Sequence, residues 1–284
     1  MQHPIIAKKE VTQYILKRFG IHMNKKLGQN FLIDEEIITG IVEAAEITSD
    51  DVVLEIGPGI GTLTQGLLET GAQVYAVEID KNLLPVLEHT LEGYENLQII
   101  NADILKTDIK ELIGNRPFKV VANLPYYITT PIIMALLEEA LPITKLVTMV
   151  QKEVAQRMAA APGNKIYGAL SVAVQYYSRP EIAFTVPPNS FMPPPEVDSA
   201  VIVCDIYNDK PVKPIDDKIF FQVVKAAFGQ RRKTLTNSLG LLGLPKEEVR
   251  ELLAQAQIDA KRRGETLSLQ EFKILADILA QKNE

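Results

Sequence analysis

Two kinds of hydrophobic pattern alternate along the chain. VVLEI (52–56), QVYAVEI (73–79), LQII (97–100), FKVVANL (118–124) and KLVTMV (145–150) are short, nearly continuous apolar runs, which predicts strands buried on both faces. Between them LTQGLLET, KNLLPVLEHTLE and PIIMALLEEAL repeat apolar residues at helical spacing. Thr130-Pro131 predicts a helix start, with the hydroxyl as cap and proline at the first helical position. Strand alternating with helix implies a parallel, doubly wound α/β sheet. EIAFTV and SAVIVCDI have no helix between them and flank the loop PPNSFMPPPEVD, so they predict an antiparallel hairpin at one sheet edge. After residue 206 the pattern is helical: DDKIFFQVVKAAF, PKEEVRELLAQA and SLQEFKILADIL, the last with Ser268 and Glu271 at capping-box spacing. At 284 residues the chain exceeds the usual single-domain size. The expected division is a basic N-terminal arm over 1–30, an α/β domain over 31–206 and a small all-α domain over 207–284.

Composition narrows the class. Hydrophobic residues at 46% and charged residues at 23% support a substantial core and exclude extended disorder. No apolar run approaches the roughly eighteen residues that span a bilayer, and MQHPIIAKKE lacks the apolar core of a signal peptide, so a soluble, cytoplasmic protein with no membrane association is expected. Cys204, the single cysteine, sits in the apolar run SAVIVCDI, cannot form an internal disulfide and reads as packing. His3, His22 and His89 are scattered without metal-ligand spacing, so no metal is expected.

Charge changes the picture once it is divided. The net charge of −6 hides two basic ends: residues 207 to 284 hold 14 Lys and Arg against 11 Asp and Glu, and residues 1 to 30 hold 6 against 1. Such ends can meet phosphates locally, or serve as solvated helix faces.

Candidate chemistry begins at EIGPGIGTLT, where Gly57, Gly59 and Gly61 stand between a strand and a helix and let the backbone approach a ligand closely. Alone, these glycines fit a tight turn or a dinucleotide site equally. Glu78 ends the second strand and Asp103 the third, and ligands of open α/β sheets bind outside those carboxyl ends. A carboxylate at the second strand end can accept both hydroxyls of a ribose, and one at the third can accept the adenine amine. Together they describe an adenosine-shaped slot that suits S-adenosylmethionine better than a dinucleotide, which needs N–H groups for its pyrophosphate.

ANLPYYITTP (122–131) follows the fourth strand and places Asn123 where a transferred methyl group would point. The Asn123 amide oxygen and the Leu124 carbonyl can accept the N–H bonds of an exocyclic adenine amine and favour its reactive, pyramidal form. Pro125 restricts Leu124 to an extended conformation, and Tyr126 offers a face on which a flipped-out base can stack. A proline turn with two buried tyrosines is the alternative.

KKLGQNFLID (25–34), EIGPGIGTLT, VEID (77–80), NADIL (101–105), VANLPYYITTPI (121–132), SFMPPPEVDSAVI (190–202) and FGQRRKTLTNSL (228–239) together resemble the 16S ribosomal RNA adenine N6,N6-dimethyltransferases over nearly the whole chain. The resemblance implies a class I S-adenosylmethionine-dependent methyltransferase fold, Rossmann-like, with a helical C-terminal domain. It implies dimethylation of two adjacent adenosines near the 3′ end of small-subunit rRNA, within the subunit or its precursor, by a monomer. It adds Asn30 and Leu32 to Gly57, Glu78, Asp103 and Asn123 around the cofactor, although GQNFL alone reads as a turn. It makes Phe191 a second aromatic clamp opposite Tyr126, and gives Tyr127 no role. Arg231, Arg232 and Lys233 are expected to contact rRNA phosphates together with the N-terminal arm. Erythromycin-resistance methyltransferases, which modify large-subunit rRNA, share Asn-Leu-Pro-Tyr, and non-catalytic transcription factors share the superfamily; PPPEVDSAVI and RRKTLTNSL favour the small-subunit enzyme, and the intact Asn123, Tyr126 and Phe191 favour catalysis. An oxidoreductase lacks a candidate His or Lys beside the glycine loop.

Overall fold

A computed structural model of the protein describes residues 4–21 and 28–282. His3, His22 and the Lys25-Lys26 part of the basic arm lie outside the described residues. The chain forms two compact units, Met1–Ala155 with Pro180–Ile206, and Gln156–Arg179 with Tyr207–Glu284.

The first unit opens with α1 (Lys9–Arg18) and β1 (Phe31–Leu32), then α2 (Glu35–Ala44), β2 (Val52–Ile56), α3 (Thr62–Leu68), β3 (Gln73–Glu78), α4 (Leu84–Thr90), β4 (Leu97–Asn101), α5 (Ile109–Ile113), β5 (Phe118–Asn123), α6 (Thr129–Glu138) and β6 (Ile143–Gln151). After α7 (Lys152–Met158) and α8 (Ala169–Tyr177) come β7 (Ser178–Val186), β8 (Phe191–Met192) and β9 (Ser199–Ile206). The seven-stranded sheet runs β4-β3-β2-β5-β6-β9-β7. Its first five strands are parallel, as the apolar runs predict; all five residues of β2 are buried, but none of β4 is, because β4 lies at the sheet edge and is not buried on both faces as expected. β9 runs antiparallel to β6 and β7 takes the edge beside β9, so the predicted departure from parallel pairing is present. A second, two-stranded sheet pairs β1 with β8, matching Leu32 to Phe191. GQNFL is therefore a strand entry and not only a turn: Phe31, Leu32 and Phe191 are buried in one apolar cluster with Val147 and Val201.

Helix α6 begins one residue before the expected cap. Thr129 opens it and donates its hydroxyl hydrogen to the Pro125 carbonyl at 3.0 Å, while Thr130 lies inside the helix and Pro131 in its first turn, where an N–H is not needed.

The second unit contains α8 together with α9 (Asp217–Gly229), α10 (Leu235–Ser238), α11 (Lys246–Gln255) and α12 (Leu269–Lys282). Tyr167, Val172 and Tyr176 share an apolar cluster with Phe220, Leu253 and Phe272. The Tyr176 and Phe220 rings stack at 4.9 Å, and Lys210 Nζ lies 4.3 Å from the Tyr176 ring centroid. Ser268 and Glu271 form the predicted capping box: the Ser268 N–H donates to Glu271 Oε2 at 2.8 Å and the Glu271 N–H to Ser268 Oγ at 3.2 Å.

This division departs from the expected boundaries twice. Residues 156–179 join the helical unit, because Tyr167 and Tyr176 bury their rings there. The N-terminal arm is structured over part of its length: Ile6, Ile15 and Leu16 enter the first unit's core, and the Ile6 N–H donates to Gln65 Oε1 at 2.9 Å. Cys204 is buried, as its apolar run predicts. His89 packs against Phe19, with ring centroids 5.4 Å apart. Among the described residues no helix is long and apolar enough to cross a membrane.

Candidate active site

Strand register aligns the ends of the parallel strands. Ile56 lies opposite Val77, Glu78 opposite Asn101 and Asn123 opposite Met149, so the loops that follow open into one crevice. The segment from Gly28 to Leu32, the Gly57–Gly59 loop, Glu78, Asp103 and the segment from Asn123 to Ile128 all line it.

The glycine loop is shaped by backbone sterics. Gly57 and Gly59 have φ of +71° and +63°, in the left-handed region that penalises a Cβ. Among the described residues, apart from its two chain neighbours, a Cβ on Gly57 would meet no atom within 4 Å, so its absence leaves room for a ligand. A Cβ on Gly59 would come within 3.2 Å of the Phe31 ring, which packs over the loop.

Glu78 is buried with both carboxylate oxygens engaged: Oε2 accepts the Gly59 N–H at 3.1 Å and Oε1 the Asp80 N–H at 2.8 Å. Burial raises its pKa and the nearby Asp80 charge adds to the rise, while hydrogen bonding from the Asp80, Gly59 and Ile79 backbone opposes it. The carboxylate still has acceptor capacity for a ribose hydroxyl. Asn101 Nδ2 donates to the Glu78 carbonyl at 2.8 Å and ties the ends of β3 and β4 together. Asp103 caps the tight turn after β4, Oδ1 accepting the Leu105 N–H at 3.1 Å, while Oδ2 pairs with Lys106 at 3.3 Å.

Asn123 donates from Nδ2 to the Asn30 carbonyl at 3.4 Å, and Asn30 Nδ2 in turn donates to the Gly28 carbonyl at 3.3 Å. Gln29 Nε2 reaches Asp80 Oδ2 at 2.9 Å, so the N-terminal segment is bound to both sides of the crevice. With its N–H so directed, Asn123 presents Oδ1 as an acceptor. Leu124 is buried and its N–H donates to the Met149 carbonyl at 3.1 Å, while its own carbonyl accepts no hydrogen bond among the described residues. Leu32 lines the crevice from β1. Tyr126 is half-buried on the crevice wall, its hydroxyl 2.6 Å from Ser199 Oγ. Tyr127 also lines the crevice and is 55% exposed.

Phe191 is 3% exposed and pairs with Leu32, a crevice-lining residue, across the small sheet. Its ring belongs to the same apolar cluster as Phe31 and Leu32, both of which line the crevice.

Three residues escaped the sequence reading. Glu55 lines the crevice from inside β2; it is 1% exposed and its Oε2 has no hydrogen-bond partner among the described residues. Burial pushes its carboxyl up to about 8, nearby Glu78 adds to the rise, and the Thr64 hydroxyl opposes it without forming a full hydrogen bond. An acid within the apolar run VVLEI was its visible signal. Gln29 and Ser199 carried none, since their partners are distant in sequence.

Comparison with known proteins places this geometry. The family model for ribosomal RNA adenine dimethylase matches residues 20–281. A ribosomal RNA small subunit methyltransferase A from Alkaliphilus metalliredigens is 52% identical over 283 residues, covering 98% of this chain and 99% of the relative. The protein of that name from Lachnoclostridium phytofermentans is 54% identical over 279 residues, covering 95% and 96%. Among solved structures, a dimethyladenosine transferase from Plasmodium falciparum superposes with a TM-score of 0.76 at 27% identity, over 89% of this chain and 98% of that one. The 23S rRNA methyltransferase ErmE gives 0.70 at 28% identity, over 89% and 100%. With a family match over nearly its whole length and a Rossmann-like crevice lined by the motif residues, the chain belongs to the ribosomal RNA adenine dimethylase family.

Proposed function

We propose that this chain transfers methyl groups from S-adenosylmethionine to the N6 amines of two adjacent adenosines near the 3′ end of small-subunit rRNA. The observation that carries the reading is the pair of acceptors at the end of β5. Asn123 Oδ1 and the Leu124 carbonyl share a crevice with Gly57 and Glu78.

The residues present fit the cofactor. The open space above Gly57 admits a close ligand, Glu78 suits the ribose hydroxyls, and the carboxylates of Glu78 and Asp103 favour a cation. S-adenosylmethionine supplies a methyl group on a positively charged sulfur, a good leaving group, so the protein needs no strong base. Glu78 orients the ribose, and Asp103 receives the adenine amine on the carboxylate it also uses to cap its turn. Asn30 contributes by fixing the Asn123 amide, and Leu32 walls the site. Asn123 and Leu124 accept the two N–H bonds of the target amine, which localises its lone pair on nitrogen. Transfer replaces a carbon–sulfur bond by a carbon–nitrogen bond and releases the amine proton to solvent. Tyr126 supplies the stacking face for the extruded base.

Arg231, Arg232 and Lys233 follow α9, are all exposed and support a phosphate-contacting role. Arg231 also donates to the Lys165 carbonyl, which holds its guanidinium in place and leaves it further donors.

Primer extension on rRNA from cells lacking this gene tests the reading, because a dimethylated adenine stops reverse transcription. A stop at two adjacent adenosines of the small subunit should return with the wild-type gene and not with N123A. A stop restored in large-subunit rRNA instead would transfer the assignment to the erythromycin-resistance type.

A further inference from the structure

A stacking platform needs only a ring, and phenylalanine would provide one. Position 126 carries a hydroxyl as well, and that hydroxyl reaches across 73 positions of sequence to meet Ser199 Oγ at 2.6 Å. We infer that Ser199 is the positioning residue that sets the Tyr126 ring in the crevice wall, so that a target base meets it in the reactive orientation. The inference rests on the stacking role proposed for Tyr126.

Ser199 is a fixed point. It is 0% exposed, opens β9 and pairs with Gln151 of β6. The preceding residue is pinned twice: the Asp198 carbonyl accepts the Lys152 N–H at 3.0 Å, and its carboxylate lies 3.2 Å from Lys152 Nζ. The backbone carrying Tyr126 is fixed independently. The Leu124 N–H donates to the Met149 carbonyl at 3.1 Å, and the Pro125 carbonyl accepts from the Ile128 N–H at 3.2 Å and the Thr129 hydroxyl at 3.0 Å.

A tyrosine side chain has two free torsions. With Cα held by the turn and the phenol oxygen held by Ser199, the long axis of the ring is determined at both ends, which removes the freedom at χ1. Only rotation about that axis remains, and it leaves the ring centre in place. Phe191, the other aromatic expected at this site, is paired with Leu32 in the small sheet, so Tyr126 is the ring whose placement this hydrogen bond sets. Either hydroxyl can donate, and a short bond in a half-buried setting is worth more than the same bond in water.

The test uses the full-length enzyme on precursor small-subunit particles. S199A and Y126F each remove one end of the bond and should lower kcat by roughly ten- to a hundred-fold, the scale of a misaligned reacting group. KM for the particle should stay at its wild-type value, and the melting temperature should fall only slightly, as the loss of one partly buried hydrogen bond requires. The double variant should be no slower than either single one, and S199T, which keeps the hydroxyl, should recover kcat. In protein with 13C-labelled tyrosine, the Tyr126 ring signal is identified by its absence from Y126F. It should keep its dispersed position in S199T and move to the averaged position of exposed tyrosines in S199A. Wild-type kcat in S199A or Y126F, or losses that multiply in the double variant, would overturn the positioning role. Y126L separates the two claims: an inactive Y126L beside an active S199A preserves stacking and removes only Ser199, whereas an active Y126L removes the stacking role itself.

Discussion

Gly59 and Glu78 are joined by a hydrogen bond of 3.1 Å from the loop N–H to the side-chain carboxylate. The glycine loop and the acid at the end of β3 are therefore one assembly, in which the acid is oriented before any ligand arrives. With the Asp80 N–H on the other oxygen, two donors converge on this carboxylate.

This arrangement predicts the effect of Glu78→Gln. An amide has one acceptor oxygen, so its NH2 group must face the N–H of either Gly59 or Asp80, donor against donor. Calorimetry should show S-adenosylmethionine binding weakened by roughly ten- to a hundred-fold, the scale of a charged hydrogen bond. An unchanged dissociation constant would remove Glu78 from the cofactor site.

Asn123→Ala removes the acceptor aimed at the amine. Methyl transfer should fall by about two orders of magnitude, as for the loss of one preorganised group, while cofactor affinity falls less. Single-turnover measurements on precursor particles check this, and wild-type turnover would exclude the amide from the mechanism.

Glu55 gives a pH signature. Its carboxyl is raised from an ordinary 4.5 to about 8, chiefly by burial, so the folded chain retains a proton that the unfolded chain releases. That contribution to stability is complete below the unfolded value and is lost as pH rises through the folded one. Melting temperature in the absence of ligand should thus fall between about pH 5 and 8 more steeply in the wild type than in E55Q, which cannot ionise. Parallel curves would show that Glu55 is already charged in the fold.

The two aromatic residues should separate cleanly. Phe191→Ala should cost about 3–5 kcal/mol of stability, because it empties a packed apolar site. Tyr126→Leu should cost only the hydrogen bond to Ser199 in stability, about 1 kcal/mol, yet lose base binding worth roughly 1–3 kcal/mol. Denaturant melts and activity of the folded fraction distinguish these outcomes; a Phe191 variant of normal stability and poor activity would favour the clamp over a packing role.

Replacing Arg231, Arg232 and Lys233 together by Gln should weaken particle binding and make the log–log salt slope shallower by roughly 0.7–0.9 for each phosphate that is no longer neutralised. Filter binding across a salt series measures it. An unaltered slope would reduce the triplet to a structural role after α9, where Arg231 already holds the Lys165 carbonyl.

The parallel strands were legible in sequence because a strand buried on both faces must be apolar throughout, and β2, β5 and β6 follow that rule closely. Gly57, Glu78, Asp103 and Asn123 were legible for a related reason: each stands at or just beyond the end of such a run, and strand ends of a parallel sheet converge. Local periodicity carries no information about contacts made across the fold. It could not show that Leu32 pairs with Phe191, or that residues 156–179 bury Tyr167 and Tyr176 with the helical unit. Nor could it join Tyr126 to Ser199, or leave Glu55 Oε2 without a partner beside Glu78. Those outcomes depend on which distant side chains compete for the same buried volume and hydrogen-bond donors, a competition that exists only once the sheet has brought them together.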